Sequence, residues 1–138
     1  MVRIFDAEGT VMGRLASTAA KALLAGESVV IVNAEKAVIT GVPNYIIGQY
    51  AAARDLGSAR KGPYVPRRPD RLLRRAVRGM LPRKEPRGRA AYHRLQVHVG
   101  VPNELRTAGA MAERLVTRRG TARFILLGDL SKALGAEF

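Results

Sequence analysis

Ser28-Val29-Val30-Ile31-Val32-Asn33 carries four consecutive β-branched residues with no polar interruption. A strand with one wet face alternates apolar and polar side chains. A continuous run therefore belongs to a strand covered on both faces, as central strands of parallel sheets are. Parallel neighbours need crossover connections, so helices must lie before and after this strand.

The flanking sequence supplies them. Val2-Arg3-Ile4-Phe5-Asp6 reads as a first strand, Glu8-Gly9-Thr10 as a turn, and Val11 to Ala25 as a helix. In that helix Met12, Leu15, Ala16, Ala19 and Leu23 share one face, and Gly26 is placed as its stop. Val38 to Gly41 is a short strand or turn, and Pro43 to Leu56 a second helix with proline in its first turn. Gly57 to Arg68 has no apolar period and reads as a loop or extended arm. Pro69 opens a helix whose stripe of Leu72, Leu73, Ala76, Val77 and Met80 lies opposite Arg71, Arg74, Arg75 and Arg78. Pro82 ends it, and a basic loop follows. Leu95 to Val99 alternates as a strand, Glu104 to Arg118 reads as helical, and Ala122 to Leu127 as a last strand. Asp129 to Leu134 makes a short helix with Asp129 as its cap. The expectation is one α/β domain over residues 1–138: three α/β/α layers, a mainly parallel sheet of about four strands, and a basic loop-helix extension.

Charge is distributed very unevenly over this frame. Residues 54–94 hold fourteen bases against three acids, a net +11, whereas the whole chain carries +13. Like charges at that density repel one another, so the segment calls for a polyanionic partner. Nineteen of the 24 bases are Arg, whose planar fork grips phosphate through two donors and stacks on bases. A GC-rich genome also enriches arginine, but it does not cluster charge. The expected RNA contacts within the segment are Arg60, Lys61, Arg67, Arg68, Arg71, Arg74, Arg75, Arg78, Arg83, Lys84, Arg87, Arg89 and Arg94. Tyr64, Tyr92 and His93 lie among these bases and suit stacking on splayed nucleotides.

Other chemistries find little support. There is no cysteine, hence no disulfide framework, thiolate metal site or cysteine nucleophile. The two histidines, His93 and His98, have no close carboxylate pair, so neither a metal nor a catalytic centre is expected. No two glycines are separated by a single residue, which removes the dinucleotide fingerprint, and Gly9-Thr10-Val11-Met12-Gly13-Arg14 lacks the spacing and Lys-Ser/Thr of a P-loop. A Rossmann-like domain that binds a nucleotide or small anion is the rival reading, and an enzyme of that kind would need acid–base pairs that the sequence lacks. Apolar runs stop at about four residues, so neither an export signal nor a membrane span is expected, and the reading is a soluble cytoplasmic protein.

The most specific feature is Val77 to Pro102, VRGMLPRKEPRGRAAYHRLQVHVGVP. It resembles the signature region of the universal large-subunit ribosomal protein family numbered thirteen, in its archaeal and eukaryotic form. Asp6-Ala7, Gly13-Arg14-Leu15-Ala16-Ser17, Val29 to Gly41 and the tail Leu127 to Gly135 follow in the family's order, and the likeness is least marked from Thr107 to Thr121. The resemblance implies a structural role in the large ribosomal subunit, bound to its RNA and beside other subunit proteins. It implies no enzymatic activity, cofactor, small-molecule substrate or homo-oligomer. It also carries the basic motif onto Arg78, Arg83, Lys84, Arg87 and Arg89, and the N-terminal motif onto Gly13-Arg14, adding Arg14 to the RNA contacts. Within the signature, Gly79 is expected at a close backbone approach, with Met80 and Leu81 buried.

Overall fold

The computed structural model describes residues 2–55, 66–103, 113–114 and 123–136. At its centre β1 (Val2–Asp6) pairs in parallel with β2 (Ser28–Val32), from Val2 opposite Ser28 to Asp6 opposite Val32. On its other edge β2 pairs in parallel with β4 (Leu95–Val97), so the β-branched run has strands on both sides. All four residues from Val29 to Val32 are buried, as their lack of alternation predicts. Phe5, Val29, Ile31 and Leu95 join the main apolar cluster. Val30 and Val32 point to the opposite face and are buried too, so that face is also covered.

Between β1 and β2 runs α1 (Met12–Leu24), which buries Leu15, Ala16, Ala19 and Leu23 as read, and Ala20 and Ala22 besides. Gly26 ends it at φ 96°, where its amide reaches Leu23 O and the next amide, of Glu27, reaches Ala22 O. Those bonds satisfy carbonyls that a helix end otherwise leaves open. Between β2 and β4 lie a 3-10 turn (Ala34–Lys36), β3 (Val38–Thr40), α2 (Pro43–Asp55), α3 (Pro69–Gly79) and α4 (Pro86–His93). Helices α3 and α4 both pack on α1, and α2, which touches the C-terminal helix, has Ile46 as its one buried residue among those described.

Strand order in the main sheet is β4-β2-β1-β5, parallel throughout, with β5 (Glu113–Arg114) against Phe5 and Asp6. Several expectations are corrected. Glu113 and Arg114 form a strand, not part of a helix: pairing with a distant chain segment outweighs the local pattern. β3 leaves the main sheet and pairs antiparallel with β6 (Phe124–Leu126), Thr40 opposite Phe124. Leu127 opens α5 (Leu127–Ala133), so Asp129 sits in its first turn instead of capping it. There the helix dipole still favours the carboxylate. The stretch after Pro82 is not a loop throughout, because Pro86 starts α4.

Candidate nucleic-acid interface

Helix α3 builds the first half of the site. Pro69 stands at its start, where no amide donor is needed, Asp70 occupies the first turn, and Arg78 the last. Leu72, Leu73 and Val77 are buried against α1 and β4, while Arg71, Arg75 and Arg78 are exposed. Met80 departs from the predicted stripe. It follows the helix end and is 45% exposed, and Leu81 takes the anchoring role instead.

A tight turn then carries the chain into α4. Leu81 N donates to Arg78 O, Arg83 N to Leu81 O, and Glu85 N to Pro82 O. Gly88 and Ala91 of α4 are buried. A Cβ built on Gly88 would lie 2.0 Å from the carbonyl oxygen of Pro82, far inside any real contact, whereas one on Gly79 would meet nothing within 4 Å. The close approach in the signature is therefore at Gly88 and not at Gly79. It clamps α4 onto the turn and fixes Arg83, before the contact, relative to Arg89, after it.

The outcome is a cavity of about 300 Å³ lined by Arg78, Arg83, Arg89, Tyr92 and His93. Five of the sequence-predicted residues, from α3, the turn and α4, thus converge on one concavity. No carboxylate among the described residues lines it. Among the described residues no ion pair involves Arg71, Arg75, Arg78, Arg83, Lys84 or Arg89, so their charge is left for an external anion.

Other predicted residues have different fates. Arg94 is turned inward: one Nη donates to Leu23 O at 2.6 Å and Nε to Glu27 O at 3.4 Å, closing the carbonyl end of α1. Arg74 lies over the Tyr92 ring, 4.6 Å from its centre, with Nε buried and without a hydrogen-bond partner. Arg87 pairs with Glu85 at 2.7 Å, an exposed pair of little energetic weight, and Arg68 lies 3.4 Å from the half-buried Asp70. Arg67 is exposed, as is Arg14 near the start of α1, and neither lines the cavity. Arg60, Lys61 and Tyr64 lie outside the described residues.

Sequence reading missed α4 because its buried side carries only Gly88 and Ala91, too small to register as an apolar stripe. Its available signal was Pro86, which stands to α4 as Pro69 stands to α3. It also missed Tyr50. With Gln49 and Ala53 of α2 and Leu72, Arg75, Ala76 and Gly79 of α3, Tyr50 lines a second cavity of about 410 Å³. Burial there raises the Tyr50 hydroxyl above its ordinary 10.0, and the nearby Arg75 charge partly opposes the rise. Beside it, hydrogen bonding to Arg54 holds the Asp55 carboxyl below its usual range. Arg54 also donates to Leu134 O, so this base of the +11 segment serves the fold.

The rival site would be the carboxyl edge of the parallel sheet, near β1, where strand order reverses. Its backbone amides are already engaged internally, although the buried Thr10 hydroxyl is left without a partner among the described residues. Buried Asp6 accepts from Glu8 N and Asn33 Nδ2, Gly9 N donates to Lys36 O, and Thr10 N to Ala7 O. The amides of Glu8, Gly9 and Thr10 are thus consumed by the fold and cannot form a phosphate cradle. Among the described residues no cluster of His, Cys, Asp or Glu could hold a metal, and no helix is long and apolar enough to cross a membrane.

Residues 1–104 match the family model described as Ribosomal protein L13. The chain is 47% identical over 137 residues to the large ribosomal subunit protein uL13 of Methanococcoides burtonii, covering 98% of this chain and 99% of that one. It is 47% identical to the protein of the same name from Methanocaldococcus jannaschii, with 98% of each covered. The corresponding protein of Methanosphaera stadtmanae is 44% identical, with both chains covered in full.

Proposed function

Because the chain belongs to the ribosomal protein L13 family, we propose that it is a structural constituent of the large ribosomal subunit. In this reading it binds large-subunit ribosomal RNA in the cytoplasm and supports subunit assembly. Its task is structural and not enzymatic. The observation that carries the RNA reading is the convergence of Arg78, Arg83 and Arg89 with Tyr92 and His93 on one cavity, with Arg71 and Arg75 exposed elsewhere on α3.

The mechanism is electrostatic. Phosphates of RNA segments that meet in the folded subunit repel one another, and arginines placed between them release counterions and lower that repulsion. The α/β core supplies the rigidity. Leu72, Leu73 and Val77 seat α3 so that Arg71, Arg75 and Arg78 stay exposed. Arg14, Arg67, Arg68, Lys84 and Arg87 extend the basic surface, as do Arg60, Lys61 and Tyr64 in the arm. Neighbouring subunit proteins complete its surroundings, and the protein acts as a single copy.

In cell lysate the protein should sediment with large subunits. Recovery of the free protein in growing cells would favour the nucleotide-binding rival. Affinity for large-subunit RNA should fall steeply with salt. Replacing Arg71, Arg75 and Arg78 together by Gln should reduce the log–log salt slope by about 2–3, at roughly 0.7–0.9 for each phosphate no longer neutralised. An unchanged slope in a folded variant would overturn the assignment of this face.

A further inference from the structure

We infer that the cavity between α3 and α4 holds a single unstacked nucleotide, with its phosphate among Arg78, Arg83 and Arg89 and its base against Tyr92. We also infer that Arg74 is a positioning residue for that ring and not an RNA contact. The inference rests on the RNA reading above and adds the kind of RNA bound at this point: a bulge, loop or single strand instead of the regular backbone of a duplex.

Shape separates the two. A duplex backbone is convex and meets flat or gently curved surfaces, where each phosphate is contacted from outside. The cavity here is concave, and about 300 Å³ is at the small end for a ligand pocket, the scale of one nucleotide. Its lining fits the same unit: three guanidinium groups suit a phosphate, and two π systems suit a base. A cavity that served phosphates alone would gain nothing from the aromatic walls.

Arg74 explains how one of those walls is held. Its guanidinium lies 4.6 Å from the Tyr92 ring centre, and its Nε is buried away from water. A cation seated on one face of the ring leaves the remainder of Tyr92 turned to the cavity, and the ring is fixed before any base arrives. The next residue back, Ala91, is fully buried, so the backbone beneath the ring is fixed as well. Ordering the ring in advance lowers the cost of stacking on it.

The test uses the full chain and three probes: a short single-stranded oligouridine, the same strand with one abasic ribose, and an RNA duplex of equal length. The intact strand should bind about tenfold more tightly than the abasic one, within the range known for stacking of one base on an aromatic side chain. Tyr92→Leu should erase that ratio and Tyr92→Phe should keep it. Arg74→Met should shrink the ratio while leaving the salt slope unchanged. A slope that falls by roughly 0.7–0.9 in Arg74→Met would mean that Arg74 touches phosphate, which would overturn its positioning role. If all three probes bind with steep salt dependence but base removal changes nothing, the cavity grips backbone only: the inference falls and the RNA reading stands. If none shows salt-dependent binding, the RNA reading fails first. Should Tyr92→Leu not fold, the abasic comparison on the unmodified protein decides by itself.

Discussion

Substituting alanine for Gly88 adds one methyl group at the tightest point of the site. That Cβ would stand 2.0 Å from Pro82 O, 2.4 Å from Pro82 C and 3.1 Å from Pro82 Cα. All three are backbone atoms of a hydrogen-bonded turn, since Pro82 O already accepts from Glu85 N. No flexible side chain can yield, so α4 must move away by about 1 Å, at a cost near the upper end for overpacking, about 3 kcal/mol. Alanine returns about 1 kcal/mol through its better helix propensity. The net loss of about 2 kcal/mol corresponds to a fall in Tm of roughly 6–10 °C for a domain of this size. Because the motion separates Arg83 from Arg89, affinity for large-subunit RNA should also drop, by about tenfold if one charged hydrogen bond is lost. The salt slope should scarcely change, for no charge has been removed. Gly79→Ala is the internal control: with nothing within 4 Å of its added methyl, it should be neutral or stabilising by about 0.5–1 kcal/mol. Thermal denaturation and RNA titration of both variants check the argument. A Gly88→Ala protein as stable as the unmodified chain would refute it.

Two further outcomes follow from the site's surroundings. Arg94→Met removes the donors that close the end of α1, so it should lower stability by about 1–2 kcal/mol in chemical denaturation while the salt slope of RNA binding stays the same; a reduced slope would return Arg94 to the RNA contacts. Tyr50 has a raised folded pKa, so above its unfolded value of 10.0 the unfolded chain loses the proton first and stability declines as pH rises. Titration by tyrosinate absorbance should show a late-ionising group that Tyr50→Phe removes, and Arg75→Gln should delay it further by removing the opposing cation. An earlier ionisation in that variant would contradict the assigned cause.

The fate of individual residues shows where sequence information ran out. Val29 to Val32 encode a two-sided strand in four letters, and the structure buries all four. Leu72, Leu73 and Val77 against Arg71, Arg75 and Arg78 encode both faces of α3, because side chains three and four residues apart share a helix face whatever the rest of the chain does. Such periods are local, and local patterns survive into the fold. By contrast, β3 was legible only as a short strand or turn and not as the partner of β6, more than eighty residues on, since short strands carry no address for their partner. Met80 fits the helical period yet lies just past the helix end, where the period no longer applies.

By itself, then, the amino-acid sequence determined the α/β class, the central strand, the amphipathic α3 and the place where positive charge collects. Tertiary structure alone decided what each cation does. Arg94 finds the carbonyl of Leu23, 71 residues away, Arg54 finds Leu134 O, and Arg74 finds the ring of Tyr92, whereas Arg78, Arg83 and Arg89 are left facing one cavity. The reason is physical. Net charge is a sum over residues and can be read without coordinates, but whether a guanidinium is consumed by the protein depends on acceptors brought near it through space. The packing of α3 and α4 on α1, and of α2 on α5, brings those acceptors there.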